Sequence, residues 1–279
     1  MLVAGTTDLT RQEYELFREL VYRHCGINLG ERKMQLVRAR LRKRMRAGGF
    51  RSYRQYYEFV RKDASGDELA RLIDAISTNT TQLFRERAHF EFLARTVKAW
   101  MTDARPRALP IRIWSAGCSS GEEPYSIAMV MDDLQRQCPK LRFKILASDI
   151  STRMLERARA GIFGLQSLAN VPPDFKRRYF TPVREEGATG MQIRPELRRL
   201  VRFARLNLMD ERFPFRNGLD VIFCRNVMIY FDRPTQQALV ARFAAVLRPG
   251  GYLLIGHSEG LQNICHSLSY VMPTAYRKP

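Results

Sequence analysis

Between Thr10 and about residue 105, apolar residues recur at helical spacing with almost no strand-like alternation. Thr10 followed by Glu13 has the form of a capping box. Leu16, Leu20 and other apolar residues carry the helical period from Tyr14 to Cys25, where Gly26 is a stop signal. The spacing predicts a second helix over about Glu31 to Arg46, with Met34, Val37, Leu41 and Met45 on one stripe and Gly48 and Gly49 at its end. From Leu109 the texture changes to short β-rich runs, IRIWSAG, FKILASD, VRFARLN, DVIFCRN and YLLIGHS, separated by helical stretches near 122–137, 151–160 and 234–247.

That alternation predicts an α/β fold, a doubly wound and mostly parallel sheet with helices on both faces, preceded by an all-helical domain. The predicted division is 1–85 for the helical domain and 86–279 for the α/β domain. Residues 172–201 interrupt the alternation with a proline pair, the run KRRYF, a glycine turn in REEGATG, and MQIRPEL. Strand candidates near Tyr179 to Val183 and Met191 to Arg194 predict a small antiparallel β insertion ahead of VRFARLN, too short to bury a core of its own.

With 279 residues, 45% of them apolar, the chain can build a sizeable core. No run approaches the roughly 18 apolar residues of a membrane-spanning helix, and no signal-peptide pattern opens the chain. A cytoplasmic protein without membrane insertion is therefore expected. The five cysteines are dispersed, with no CxxC pair and no histidine cluster nearby, so neither a disulfide framework nor a metal site is expected. The formal charge of +19 would draw the protein to a polyanionic partner without naming one. Much of it is concentrated: residues 32–62 hold twelve basic side chains against one acid, Glu58. A solvated basic face and an acidic-partner surface both remain open at this point.

The first β-rich run leads into Ala116, Gly117, Cys118, Ser119, Ser120 and Gly121 at a helix start. Small residues there let a ligand approach the backbone, and the helix N-H groups offer donors. A tight structural turn is the alternative. Glu122 and Glu123 would repel a pyrophosphate but could hold an amine or a ribose, which favours an adenosyl amino acid over a dinucleotide. Asp149, closing the second run, can accept from both ribose hydroxyls or can cap the helix near Ser151. LRPGGYLLIG places a Pro-Gly-Gly turn before the last long strand.

With STNTTQLFRE at 77–86, WSAGCSSGEEPYSIA at 114–128, ASDIS at 147–151, FCRNVMIYFD at 223–232 and RPGGYLLIGHSE at 248–259, the chain resembles the CheR-type methyltransferases along nearly its whole length. These methylate glutamate side chains of bacterial chemotaxis receptors. The resemblance implies a sheet of the class I methyltransferase type and S-adenosylmethionine as cofactor, with S-adenosylhomocysteine as product. It implies cofactor contacts from Asn79, Thr81 and Arg85 on the linker, with Gly117 and Glu123 near the cofactor. It further implies Asp149 on the ribose, Asn207 and Leu208 bordering the adenine, and Arg225 and Asn226 completing the pocket. Arg85 and Tyr230 are the expected catalytic pair, orienting the substrate carboxylate. Arg38, Arg42 and Arg46 are expected to dock on the cytoplasmic methylation helices of chemoreceptors, at membrane-bound receptor arrays. The β insertion can, in such a family, bind a tethering peptide at a receptor's carboxyl terminus. For several residues a plainer role stays open: Leu208 as core, Arg85 paired with Glu86 or Glu91, Asn79 as a helix cap, Tyr230 as packing beside Phe231.

A nucleic-acid methyltransferase is the competing enzyme, prompted by the basic charge. The segment RNVMIYF stands where adenine N6 enzymes carry a [DN]PP[YF] motif, and Cys224 lies in an apolar strand run without the Pro-Cys context of a cytosine nucleophile. Nucleic acid is thus not an expected partner. A non-catalytic sensor of S-adenosylmethionine is the remaining alternative.

Overall fold

Thr10 starts the first helix as its spacing predicts: its hydroxyl accepts from the Glu13 N-H at 3.2 Å and Glu13 accepts from the Thr10 N-H at 3.0 Å. The computed structural model describes residues 8–77, 79–102, 109–185, 188–215 and 218–279. Thr78 of the STNTTQLFRE segment and Glu186 and Gly187 at the β-insertion turn lie outside the described residues.

The helical unit comprises α1 (Arg11–Cys25), α2 (Met34–Gly48), α3 (Tyr53–Lys62) and α4 (Asp67–Ile76). Its core joins Tyr14, Phe17 and Val21 to Val37, Leu41 and Met45, with Tyr53, Tyr56 and Leu72 closing it. The basic residues of α2 do not all face solvent. Arg44 pairs with buried Glu68, which also accepts from the Tyr56 hydroxyl at 2.9 Å. Arg40 donates to the carbonyls of Ile76 and Ser77 at the end of α4. Two charges of the predicted basic face are therefore structural clamps, because a buried carboxylate and orphan helix carbonyls both need donors.

α5 (Ala88–Thr102) leads into the sheet unit, with β1 (Ile111–Ala116), α6 (Glu122–Gln137), β2 (Phe143–Asp149) and α7 (Thr152–Ala160). After β3 (Ile162–Gly164) come α8 (Pro173–Tyr179), β4 (Phe180–Glu185), β5 (Ala188–Ile193), α9 (Pro195–Arg198) and β6 (Val201–Arg205). The chain ends with β7 (Leu219–Cys224), α10 (Arg233–Val246), β8 (Leu247–Ile255), β9 (Ser269–Met272) and β10 (Ala275–Arg277). The seven-stranded sheet runs β6-β2-β1-β7-β8-β10-β9. Its first five strands are parallel, and β10 and β9 add antiparallel at the far edge. Every residue of β7 is buried, as a central parallel strand covered on both faces requires. The chain moves outward from β1 through β2 to β6 and returns at β7. This reversal opens a crevice at the carboxyl ends of β1 and β7, the usual ligand position in such a sheet.

The small sheet has three strands, ordered β3-β5-β4, rather than the two of the predicted hairpin. Its third strand, the three residues IFG, lies ahead of the predicted insertion and pairs with β5 from Ile162 to Gly164. Much of KRRYF is the end of α8 rather than strand. The Pro-Gly-Gly segment does not stand apart as a turn. It is absorbed into β8 where the register to β7 shifts between Leu219 and Val221, and a Cβ on Gly251 would stand 3.0 Å from three carbonyl oxygens. Among the described residues no helix is long and apolar enough to cross a membrane.

Candidate active site

The crevice opens into a solvent-accessible cleft between the sheet ends and the helical unit. Asn79, Thr81, Arg85, Gly117, Glu123, Asp149, Asn207, Leu208, Arg225, Asn226 and Tyr230 all line it. Apolar residues, Ile27, Leu29, Ile76, Ile150, Leu206 and Leu208, line it together with the charged and amide groups. Hydrogen bonds from Asn28 N to Tyr230 O (2.8 Å), from Tyr22 Oη to Asp232 (2.7 Å) and from Asn207 Nδ2 to His24 O (2.5 Å) hold the helical unit against the sheet around this cleft.

The turn after β1 is shaped for close approach. Gly117 has φ +80°, and a Cβ there would meet Val227 Cγ2 at 2.5 Å. Ser119, at φ 48°, presents its N-H to Asp149 Oδ2 at 2.8 Å, while Asp149 Oδ1 accepts from the Ser151 N-H at 2.9 Å. Ser151 itself caps α7 through Met154 N, so Asp149 steadies that cap rather than being it. Each Asp149 oxygen keeps a lone pair for a hydroxyl. Burial pushes the carboxyl up, against the opposing pull of the Ser151 and Ser119 N-H groups.

Arg225 is the electrostatic centre of the wall. Buried, it reaches Glu86 Oε2 at 3.0 Å and Glu123 Oε2 at 3.2 Å, donates to the Arg85 carbonyl, and lies 5.5 Å from the Phe90 ring centroid. Glu123 Oε1 takes the Ser115 hydroxyl at 2.7 Å. Burial raises the Glu123 carboxyl; in Glu86 it acts the same way but is outweighed by the Arg225 charge, and the net direction is down. Glu123 therefore serves the site mainly by fixing Arg225. Glu122 does not line the cleft; it accepts from Ser120 at 2.7 Å.

The plainer roles sort out by geometry. Glu86 pairs with Arg225 and Glu91 with Arg87, which leaves Arg85 donating to Thr80 O at 3.1 Å with its remaining guanidinium N-H groups uncommitted among the described residues. Asn79 caps no helix, since α5 begins at Ala88, and its carbonyl accepts from Ser119. Leu208 is both core and cleft wall. The Asn207 side chain donates to His24 O and accepts from Met209 N at the edge of the cleft. Tyr230 packs on the core beneath, with Lys33 Nζ 5.3 Å from its ring centroid, and its hydroxyl has no partner among the described residues. Cys224 is fully buried in β7, and burial drives its thiol well above the usual range, which removes it as a nucleophile.

Glu259 had no role from sequence reasoning. It gathers the N-H groups of Asn226 (2.9 Å), Ile229 (3.2 Å) and Gly256 (2.5 Å), tying the loop that carries Arg225, Asn226 and Tyr230 to the end of β8. An acid after an isolated Gly-His-Ser was the visible signal. Asn226 at φ 59° and the near contact of a Gly256 Cβ with Asn226 N (2.8 Å) show how tightly that loop is drawn in.

Behind Arg225, His89 is fully buried, and burial with the Arg225 charge lowers its pKa from 6.5 to about 4. Glu86, Arg225, His257 and Thr274 face it. Because the folded pKa lies below the unfolded one, the folded state binds fewer protons. His89 should then cost about 3 kcal/mol of stability as pH falls from 6.5 to 4. Urea denaturation across that range in EDTA-containing buffer reads this loss, and His89→Gln should flatten it.

A family model described as the CheR methyltransferase all-alpha domain matches residues 12–77, and one described as the CheR methyltransferase SAM binding domain matches residues 79–276. A chemotaxis protein methyltransferase of Borreliella burgdorferi is 41% identical over 97% of this chain and 95% of that protein. Chemotaxis protein methyltransferase 2 of Pseudomonas aeruginosa is 40% identical over 96% and 93%, and the Escherichia coli chemotaxis protein methyltransferase 38% over 92% and 87%. A doubly wound sheet with its crevice at β1 and β7, a helical unit closing that crevice, and matches spanning both units have one reading: the chain belongs to the CheR methyltransferase family and uses S-adenosylmethionine.

Proposed function

We propose that the chain methylates glutamate side-chain carboxylates on the cytoplasmic helices of chemotaxis receptors, giving glutamate methyl esters. The observation that carries this reading is a pair of uncommitted donors, the Arg85 guanidinium and the Tyr230 hydroxyl, on the wall of the cofactor cleft. When bound, S-adenosylmethionine supplies an electrophilic methyl group. A glutamate carboxylate, with an ordinary pKa near 4.3, is already ionised at neutral pH and needs no general base. The chain's task is placement. Arg85 holds one carboxylate oxygen through a charge-assisted pair while Tyr230 donates a hydrogen bond, and neither exchanges a proton.

The cleft suits the cofactor. Asp149 offers its free lone pairs to the ribose hydroxyls, and Gly117 admits the ligand against the backbone. Asn207 and Leu208 border the adenine, while Asn79, Thr81, Arg85, Arg225 and Asn226 surround the amino-acid portion, with Glu123 setting Arg225. Esters distinguish this reading from methylation on nitrogen or carbon. Label transferred from the cofactor should be released as methanol by mild alkali; alkali-stable label contradicts a carboxylate acceptor.

Receptor docking falls to α2, whose start borders the cleft through Leu36 and through Lys33 just ahead of the helix. Arg38 lies 2.9 Å and Arg42 3.6 Å from Asp8, whereas Lys43 and Arg46 are exposed. We expect Lys43→Glu with Arg46→Glu to raise KM for an acidic receptor helix about tenfold and to leave cofactor affinity unchanged. Equal losses in both would remove docking as the explanation. The small sheet is where a receptor's carboxyl-terminal peptide would pair, adding a strand at an edge. The site of action is the cytoplasmic face of receptor arrays.

A further inference from the structure

Glu86, His89 and His257 converge behind the Arg225 wall, outside the cofactor cleft, with one ligand atom from each inside a 4.8 Å span. His89 Nδ1 stands 3.4 Å from Glu86 Oε2, and His257 Nε2 stands 4.0 Å from the same oxygen. His89 is fully buried, and its Nδ1 has no hydrogen-bond partner among the described residues.

Proton bookkeeping makes that orphan informative. The Thr274 hydroxyl lies 2.6 Å from both Pro273 O and His89 Nε2. With that hydroxyl donating to Pro273 O, His89 Nε2 carries the ring N-H and donates to Thr274 Oγ1. A neutral imidazole protonated on Nε2 has its lone pair on Nδ1, and here that lone pair faces an anionic carboxylate. Such an arrangement calls for a cation between the two.

We propose that Glu86, His89 and His257 form a binding site for a divalent transition-metal ion of the zinc class. Two imidazoles and one carboxylate, with a position left for water, match the ligand preference of such ions; calcium and magnesium ask for oxygen alone. Ligands each about 2.1 Å from a tetrahedral ion stand roughly 3.4 Å apart, the separation already present between His89 and Glu86. His257 is exposed and supplies both the entry path and the closing ligand. Glu86 Oε2 also holds Arg225, so the ion shares that oxygen with the guanidinium and sits against the outer side of the cofactor wall.

The test is titration of chelator-stripped, full-length protein with Co(II), followed in the visible spectrum, and then with Zn(II). One Co(II) per chain with a d-d band that Zn(II) abolishes is expected. His257→Ala, an exposed change that leaves folding intact, should weaken Co(II) at least about tenfold, and His24→Ala, exposed on α1, should not. Absence of stoichiometric Co(II) uptake, or equal affinity in the wild type and His257→Ala, overturns the proposal.

Discussion

Arg225→Met should lower folding stability by about 3–5 kcal/mol at pH 7 and abolish measurable cofactor binding. The stem of methionine fills much of the same space, so the loss is electrostatic rather than a cavity. Two carboxylates, Glu86 and Glu123, are left in a buried wall without their cation, and the Arg85 carbonyl loses its donor. Breaking one partner from a buried pair is costly because the remaining charge keeps its desolvation penalty. The orphaned carboxyls can escape that penalty by taking up protons, so the difference from wild type should shrink at pH 5.5. Urea denaturation at both pH values, with calorimetry of cofactor binding, checks this. Stability within about 1 kcal/mol of wild type would mean that Arg225 is not the centre of the wall.

Arg85→Ala should cut kcat by about 100-fold and Tyr230→Phe by about tenfold, with cofactor affinity falling less than turnover in either. These factors follow from losing one charge-assisted and one ordinary hydrogen bond in the reacting geometry, roughly 1.5–3 and 0.5–1.5 kcal/mol. Arg85 makes a single hydrogen bond to Thr80 O among the described residues, and the Tyr230 hydroxyl makes none, so neither change disturbs the packed wall. Single-turnover rates at saturating cofactor, set beside dissociation constants, separate the effects. If affinity falls as far as turnover, both residues belong to cofactor binding and the substrate is oriented by other groups.

Much of this site is legible in the amino-acid sequence because its carriers lie at strand ends. Gly117, Asp149, Asn207 and Arg225 each follow an apolar β run, and the parallel order brings those ends together. The first two helices are legible for a similar reason: Thr10 and Glu13 form their box locally, and the α2 stripe is set by helical spacing alone. What stays hidden depends on partners distant along the chain. The IFG of β3 is too short to show alternation and becomes a strand only through β5. The strands β9 and β10 are four and three residues long and gain definition from pairing on β8. The basic face of α2 looks uniform in sequence, yet Arg40 and Arg44 turn inward because the end of α4 and buried Glu68 need them. Glu86 and His89 give no local signal for the same reason, since each acts on a segment far away in sequence, and Glu259 shows only as an acid after Gly-His-Ser.

The helical unit contributes more than a docking face. It supplies Ile27, Leu29 and Ile76 to the apolar lining of the cleft and is tied to the sheet through Asn207, Tyr230 and Asp232. In the proposed docking, a basic surface on that same unit would bring a bound acidic helix to the cleft mouth and so link recognition to placement of the carboxylate. The positive charge thus suits an acidic protein partner as well as it would a nucleic acid, and charge alone does not choose between them.

The choice is made by offering both. Full-length protein with labelled S-adenosylmethionine should label cytoplasmic fragments of chemotaxis receptors in alkali-labile form, lose that label when the acceptor glutamates are changed to aspartate, and leave RNA unlabelled. Label on RNA, or cofactor binding by calorimetry with no label on any receptor fragment, would contradict the account.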